Sequence, residues 1–288
     1  GFISNFKVNL KNSNTLGKQD ANYKSSPQIE LMSIFELTSS LPLIKQQDNF
    51  NNILTPKVSL RFNPSDMKNY STSEKNINVD NIFNINRLGL DDSFEAGRSL
   101  TLGLNYKKET LNDINKYFEF NIATVFRHNE EDFIPSSSSL NKKNSNLFGS
   151  ATSTILDNVV IDYDFRIDNN YEKFEYNSLN TKFMFNNFET NFNFVEEVGE
   201  TGNENFLENT TVYNHDDNNS FAFKTRRNRK LNLTEFYDLI YEYKNDCLIA
   251  GIKYNKKYYS DRDLKPSENL LFTLTLYPLT TYEHLHNK

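Results

Sequence analysis

The sequence predicts an all-β chain, an antiparallel transmembrane β-barrel of about fourteen strands that forms part of a larger barrel. Three observations carry that prediction. First, apolar and polar residues alternate with period two along most of the chain: Val159, Ile161, Tyr163, Phe165 and Ile167 are interleaved with Val160, Asp162, Asp164 and Arg166. A strand with one apolar and one wet face reads this way. Second, the alternating stretches cluster near the length of about 9–11 residues that a tilted strand needs to cross a bilayer, whereas strands of soluble domains most often run about 5–6 residues. Third, from the fifth strand onward the connections alternate between long and short, as in outer-membrane barrels.

The elements follow in order. Phe2, Ser4, Phe6, Val8 and Leu10 against Ile3, Asn5, Lys7 and Asn9 set the first strand over 2–10. The same pattern places strands at 27–38, 54–62, 98–107, 116–128, 146–156, 158–168, 175–185, 188–197, 205–213, 219–227, 231–243 and 248–259. The last, 269–277, alternates Leu270, Phe272, Leu274 and Leu276 with Leu271, Thr273, Thr275 and Tyr277. Segments 129–145, 168–174, 198–204 and 260–268 are long or polar. Between them lie the tight connections Asp157, Asn186–Asn187, His215–Asn218 and Lys244–Cys247. The first third is less regular, because 63–97 is very long and 39–53 and 108–115 exceed a tight turn. One junction, 228–230, is short where a long loop is due. If the C-terminal strand ends in the periplasm, 260–268 is extracellular, and Lys244–Cys247 and Gly1 lie on the periplasmic side. Tyr106, Tyr117, Tyr213, Tyr243, Tyr258, Tyr259 and Tyr277 near strand ends suit interfacial aromatic girdles.

Composition supports this class and excludes others. Hydrophobic residues make up 37% of the 288 residues, yet aromatics reach 14%, from 24 Phe and 16 Tyr. A disordered chain is short of aromatics, so the low hydropathy is not disorder. The 44 Asn against 9 Gly belong in loops and on wet faces, since Asn favours neither helix nor strand. No run of about 20 apolar residues offers a membrane-spanning helix. A net charge of −6 argues against a nucleic-acid binder. One cysteine permits no internal disulfide. Opening on Gly1 without Met, the chain reads as a fragment or a processed form.

Two stretches go further than composition. Asn86-Arg87-Leu88-Gly89-Leu90-Asp91 followed by Phe94-Glu95-Ala96-Gly97 leads into the strand Arg98–Leu104. Tyr241-Glu242-Tyr243-Lys244-Asn245-Asp246-Cys247 forms a turn, and Asp261-Arg262-Asp263-Leu264-Lys265-Pro266-Ser267 then leads into the last strand. Together these resemble the C-terminal half of the LptD family, the lipopolysaccharide-assembly (organic solvent tolerance) proteins of the Gram-negative outer membrane. The family usually has an Arg after the loop Asp, where this chain has Asp92 and Ser93, and many members carry two adjacent Cys where Cys247 stands alone.

The resemblance implies lipopolysaccharide transport into the outer leaflet through a barrel that opens sideways. It also implies an LptE-like plug lipoprotein and an LptA-like periplasmic bridge delivering lipid through a domain that would lie before Gly1. Cys247 would bond to that domain in the oxidising periplasm. The 63–97 loop would be an ordered lid, with Arg87 paired to Asp91 or Glu95 and with Gly89 and Gly97 permitting tight backbone. The strand bearing Leu270, Phe272, Leu274 and Leu276 would be one lip of the lateral opening.

Other constellations are weaker. Arg226, Arg227, Arg229 and Lys230 form a dense basic run suited either to lipopolysaccharide phosphates or to a solvated hairpin tip. His128 with Glu130–Asp132 opens an extracellular loop. His215, Asp216 and Asp217 read as a polar turn rather than a metal cluster, and His284 and His286 lie in a tail with no matching ligands. Neither a catalytic motif nor a paired acid and base is visible, so no enzyme and no cofactor are expected. The alternatives are an outer-membrane porin or channel, which shares every barrel-level signal, and a secreted Asn-rich β-rich adhesin, which would show an internal repeat.

Overall fold

The fold is given by a computed structural model that describes residues 1–19, 24–67, 76–90, 93–199, 202–259, 265–276 and 280–287. The strands are β1 (Ile3–Thr15), β2 (Gln28–Ser40), β3 (Leu43–Gln46), β4 (Phe50–Asn63), β5 (Gly97–Thr110), β6 (Tyr117–Arg127), β7 (Leu147–Ser153) and β8 (Val159–Ile167). They continue as β9 (Phe174–Phe185), β10 (Phe188–Glu197), β11 (Asn205–Asn214), β12 (Asn219–Asn228), β13 (Leu233–Lys244), β14 (Leu248–Lys257), β15 (Ser267–Leu276) and β16 (Thr280–Asn287). Apart from β3, which pairs with β4 off the main path, each strand neighbours the next in sequence. The order is that of an antiparallel meander, the connectivity of outer-membrane barrels. Among the described residues the one helical element is a single 3-10 turn, Ser136–Ser138, and no helix is long and apolar enough to cross a membrane.

Two strands go beyond the expected fourteen. The segment 39–53 contains β3, whose four residues are too few to show a period. Beyond Leu276 the chain forms β16, antiparallel to β15, where the sequence suggested a tail. The strand over 269–277 is therefore not the last, and Tyr277 lies outside the described residues. Sides assigned by counting back from a terminal strand lose that premise, and connection length alone carries them. β1, β4 and β5 also run several residues past their apolar alternation. Backbone pairing continues into polar flanks that carry no periodic signal, whereas β7 stops short of the expected 146–156.

The chain divides into two compact units. The first comprises Gly1–Thr152, Asp164–Glu175 and Gly199–Thr201. Its register stacks like with like across the strands. Phe6, Leu37, Leu60, Leu100 and Phe126 are successive cross-strand partners, and so are Lys7, Glu36, Arg61, Ser99 and Arg127 one residue along. The apolar row points outward: Phe6, Leu37 and Leu60 are exposed. The polar row points inward, with Glu36, Arg61, Ser99 and Arg127 buried. Apolar outside and polar inside is the inverse of a soluble sandwich and suits a wall solvated by lipid. The connection between β4 and β5 folds onto this inner face. Its Ile77, Ile82, Leu88, Leu90 and Ala96 pack with Ala123, Val125 and Phe148 in one buried cluster, and its Phe94 joins Met32 and Ile34 of β2 in another.

The second unit comprises Ser153–Tyr163, Tyr176–Val198 and Gly202–Lys288. Phe183, Phe185, Phe188, Phe192, Phe221, Phe223, Leu239 and Ile252 are exposed on one face. On that face Thr190, Asn209 and Thr211 bond to one another at 2.8–3.1 Å, which satisfies polar groups that hydrocarbon would not. The opposite face carries Lys182 with Glu189 at 2.9 Å and Asp238 with Lys253 at 2.7 Å. Its tight connections are built by asparagine. Asn186 and Asn232 adopt positive φ, a conformation Asn tolerates better than other residues with a side chain. The Asn245 side chain accepts from the amides of Cys247 and Leu248 at 3.0 and 2.8 Å.

Candidate functional site: a loop latched to the inner face

The inner row of the first unit is strongly charged before the loop arrives. Glu36 of β2 accepts from Arg61 Nε at 2.8 Å, and Lys7 approaches its other oxygen at 3.7 Å. Two strands further on, Arg127 extends the row. Strand pairing places these groups side by side, because directly opposed residues on one face lie about 4.5–5.5 Å apart at Cβ.

The loop supplies the missing counter-charge. Glu95 meets Arg87 Nε at 2.6 Å and its terminal nitrogen at 2.5 Å, a bidentate fork within the loop itself. It also accepts from Arg127 at 2.5 Å and lies 3.7 Å from Arg61. One carboxylate thus ties a loop arginine to arginines of β4 and β6. Burial on its own would raise the Glu95 pKa, but Arg87, Arg127 and Arg61 outweigh it and hold the carboxyl at about 2. Removing a partner from such a buried cluster is costly, because the remaining charge has no water to turn to.

Further bonds fix the loop's position. Arg87 also donates to Thr101 Oγ1 at 3.0 Å and Ser99 Oγ at 3.2 Å, both on β5. Arg61 reaches the Asn84 carbonyl, and Asn63 donates to the carbonyls of Phe94 and Glu95. Lys11 of β1 bonds the Leu90 and Ser93 carbonyls at 2.8 Å each and lies 4.4 Å from the Phe94 ring centroid. Phe83 sits against Gly103, where a Cβ would come within 2.6 Å of its ring. The glycine is the recess that accepts the aromatic. At the turn between Arg87 and Leu90, Gly89 takes φ 67°, and Gly97 takes φ 78° as the chain enters β5. Both conformations favour glycine.

Of the loop residues expected from sequence, the structure pairs Arg87 with Glu95 and gives Gly89 and Gly97 the left-handed backbone that glycine permits. Asp91, the other partner considered for Arg87, lies outside the described residues. Glu36, Arg61 and Arg127 were not anticipated. Their signal is a charged residue in the inward phase of an alternating strand, on three strands in register, in a chain with only nine Arg.

The remaining candidates are scattered. The basic run is divided among partners: Arg226 pairs with Glu235 at 2.9 Å and lies 3.9 Å from the Phe206 ring. Arg227 bonds Asn232 at 2.5 Å, and Arg229 lies 5.1 Å from the Phe194 ring. Lys230 falls in the connection between β12 and β13. Cys247 is exposed in the turn between β13 and β14. Asp216 accepts from the Asn218 and Asn219 amides at 2.9 and 2.7 Å, so it caps its own turn. Leu270, Phe272, Leu274 and Leu276 lie on β15, which pairs with β14 on one side and β16 on the other. A lip of unpaired backbone is thus not at β15. His284 and His286 fall within β16.

Comparison with known proteins adds an independent line. The family model "LptD: LPS transport system D" matches residues 7–223, which contain the latched loop together with β2, β4, β5 and β6. No curated protein matches the chain. Among solved structures, an engineered variant of the Rhodopseudomonas blastica porin overlaps at TM-score 0.38 and 7% identity, and a triple mutant of the same porin at TM-score 0.40 and 6% identity. In each case all of this chain and 94% of the porin is covered. Overlaps so loose bear on neither fold nor function.

Proposed function

The chain belongs to the LptD family of lipopolysaccharide-transport proteins of the Gram-negative outer membrane, and from that premise we propose that it forms part of a wall that opens sideways to release lipopolysaccharide into the outer leaflet. The observation that carries the reading is the loop latched across polar inner rows in the first unit, behind an outer face of exposed aliphatic and aromatic side chains. An amphiphile with charged sugars and acyl chains needs both surfaces, a wet interior for its head and an apolar exit for its tails. On this reading the long connections face outward and the short turns face the periplasm. Cys247, on a short turn, is placed to bond a periplasmic domain. An LptE-like plug lipoprotein occupies the interior, and an LptA-like bridge supplies the lipid. No covalent step is required of any residue, since moving a lipid between leaflets breaks no bond in it.

Depletion of the protein from its host tests this reading. Surface lipopolysaccharide is expected to fall while the lipid accumulates on the periplasmic side, and the purified protein is expected to retain a lipoprotein partner. Steady ion conductance in planar bilayers with no effect on surface lipopolysaccharide would instead identify a channel.

A further inference from the structure

The outer face of the first unit carries a groove of about 570 Å³, lined by two cross-strand rows with Arg61, Ser99 and Arg127 of the inward row between them. The lower row is wholly apolar and includes Leu37, Leu60, Leu100 and Phe126. The upper row ends differently. Phe35 and Phe62 stack with centroids 6.3 Å apart, Arg98 lies 5.2 Å from the Phe62 ring centroid, and His128, joined to Arg98 by a backbone hydrogen bond of 3.1 Å, closes the row. Both Arg98 and His128 are exposed. They stand where β5 begins and β6 ends, at the edge with the long 64–96 and 128–146 connections. A comparable groove of about 470 Å³ in the second unit, lined by residues such as Phe223, Leu239 and Ile252, has no charged side chain around it.

We infer that the groove is a binding site on the barrel's outer wall for a phosphorylated glycolipid of the outer leaflet, an acyl chain lying along the Leu60–Leu100 row and a phosphate held by Arg98 and His128. Both chemistries are matched by position. Apolar surface in the hydrocarbon layer offers an acyl chain close packing, and a guanidinium at headgroup depth offers a phosphate charge-assisted hydrogen bonds. Phe62 beneath Arg98 holds the guanidinium by cation–π contact. The basic pair is the feature that selects a phosphate-bearing lipid over a zwitterionic one. The inference rests on the outer-membrane lipopolysaccharide reading, but the site lies on the wall and is not the transport route.

The full chain in phosphatidylcholine nanodiscs, titrated with bisphosphorylated lipid A and followed by native mass spectrometry, provides the test. The Arg98→Gln/His128→Gln double variant is expected to bind lipid A about tenfold more weakly, the loss of roughly one charged hydrogen bond. Arg98→Lys is expected to retain most of the affinity. Leu100→Trp, which keeps both Arg98 and His128 and fills the groove, is expected to weaken binding comparably, so the proposal stays testable if the double variant folds poorly. Unchanged lipid A binding in the double variant and in Leu100→Trp would overturn the site. So would phosphatidylglycerol binding as tightly as lipid A with the same dependence on Arg98, which would mark a general anionic-lipid collar. Lipid A bound here by a protein whose depletion leaves surface lipopolysaccharide intact would sink the transport reading and leave this one standing.

Discussion

The two units solve the inside of a membrane wall in opposite ways. In the first, the inner face is covered by the chain's own loop, and nearly all the buried hydrophobic residues among those described belong to it. In the second, Phe206 alone is buried in that sense, and the inner face is held by isolated pairs such as Asp238 with Lys253. The difference teaches where a barrel of this kind spends its apolar residues. Lipid already solvates the outer face, so strand packing needs no hydrophobic interior, and buried apolar side chains gather only where a second layer must stay put. The hydrophobic clusters of the first unit are thus a measure of loop attachment and not of sheet stability.

Glu95→Gln is the substitution that should break this contrast most severely. It leaves Arg61, Arg87 and Arg127 buried around a neutral amide, and losing one partner of such a cluster costs about 3–5 kcal/mol. Limited proteolysis should then cut the 76–96 loop in the folded protein, while the sheet keeps its resistance to unfolding in detergent. Unchanged protection would show that the apolar clusters hold the loop without the latch.

Acid should do the same job reversibly. Because the folded pKa of Glu95 lies near 2, below the ordinary glutamate value of 4.5, its contribution is fully present above pH 4.5. It is lost as pH falls from there towards 2. Loop protection followed by hydrogen exchange should be flat from pH 8 to 5 and decline below. A decline centred near pH 6 would implicate another group.

The smallest effect is expected in the second unit. Asp238→Ala unpairs Lys253, which is partly exposed and can turn to water, and removes the acceptor of the Asn255 amide. A cost of about 1–3 kcal/mol is expected, that of an unsatisfied buried polar group, seen as earlier thermal unfolding with loop cleavage unaltered. A coincident change in loop protection would show that the contrast between the units is not real.

Much of the sheet was legible because period two is a strong local signal wherever one face meets lipid. Fourteen of the sixteen strands among the described residues lie where alternation placed them. β3 was too short to show a period, and β16 follows Pro278, which reads as a break. The Arg87–Glu95 pair was legible for a similar reason, since both partners lie eight positions apart in one motif. Arg61 with Glu36, and Arg127 with Glu95, were not. Phase along a strand reveals which face a charge occupies, but its partner is set by register between segments 25 and 32 residues apart. The excess of Asn also became legible only with the fold. Asn186 and Asn232 hold left-handed turns, Asn245 caps another, and Asn63 fastens the loop to β4.

The Gly103 recess and the Arg61–Ser99–Arg127 row have a consequence for assembly. The loop's docking groups come from β4, β5 and β6 at once, so the seat exists only when all three strands are in one register. A slip of a single residue would swing every side chain of a strand to the other face. Arg127 would then point into lipid, and Glu95 would have no cation waiting on β6. A seated loop is therefore a checksum on the wall beneath it, and a barrel that mispairs these strands during insertion would carry an unseated, protease-sensitive loop as the visible mark of its error.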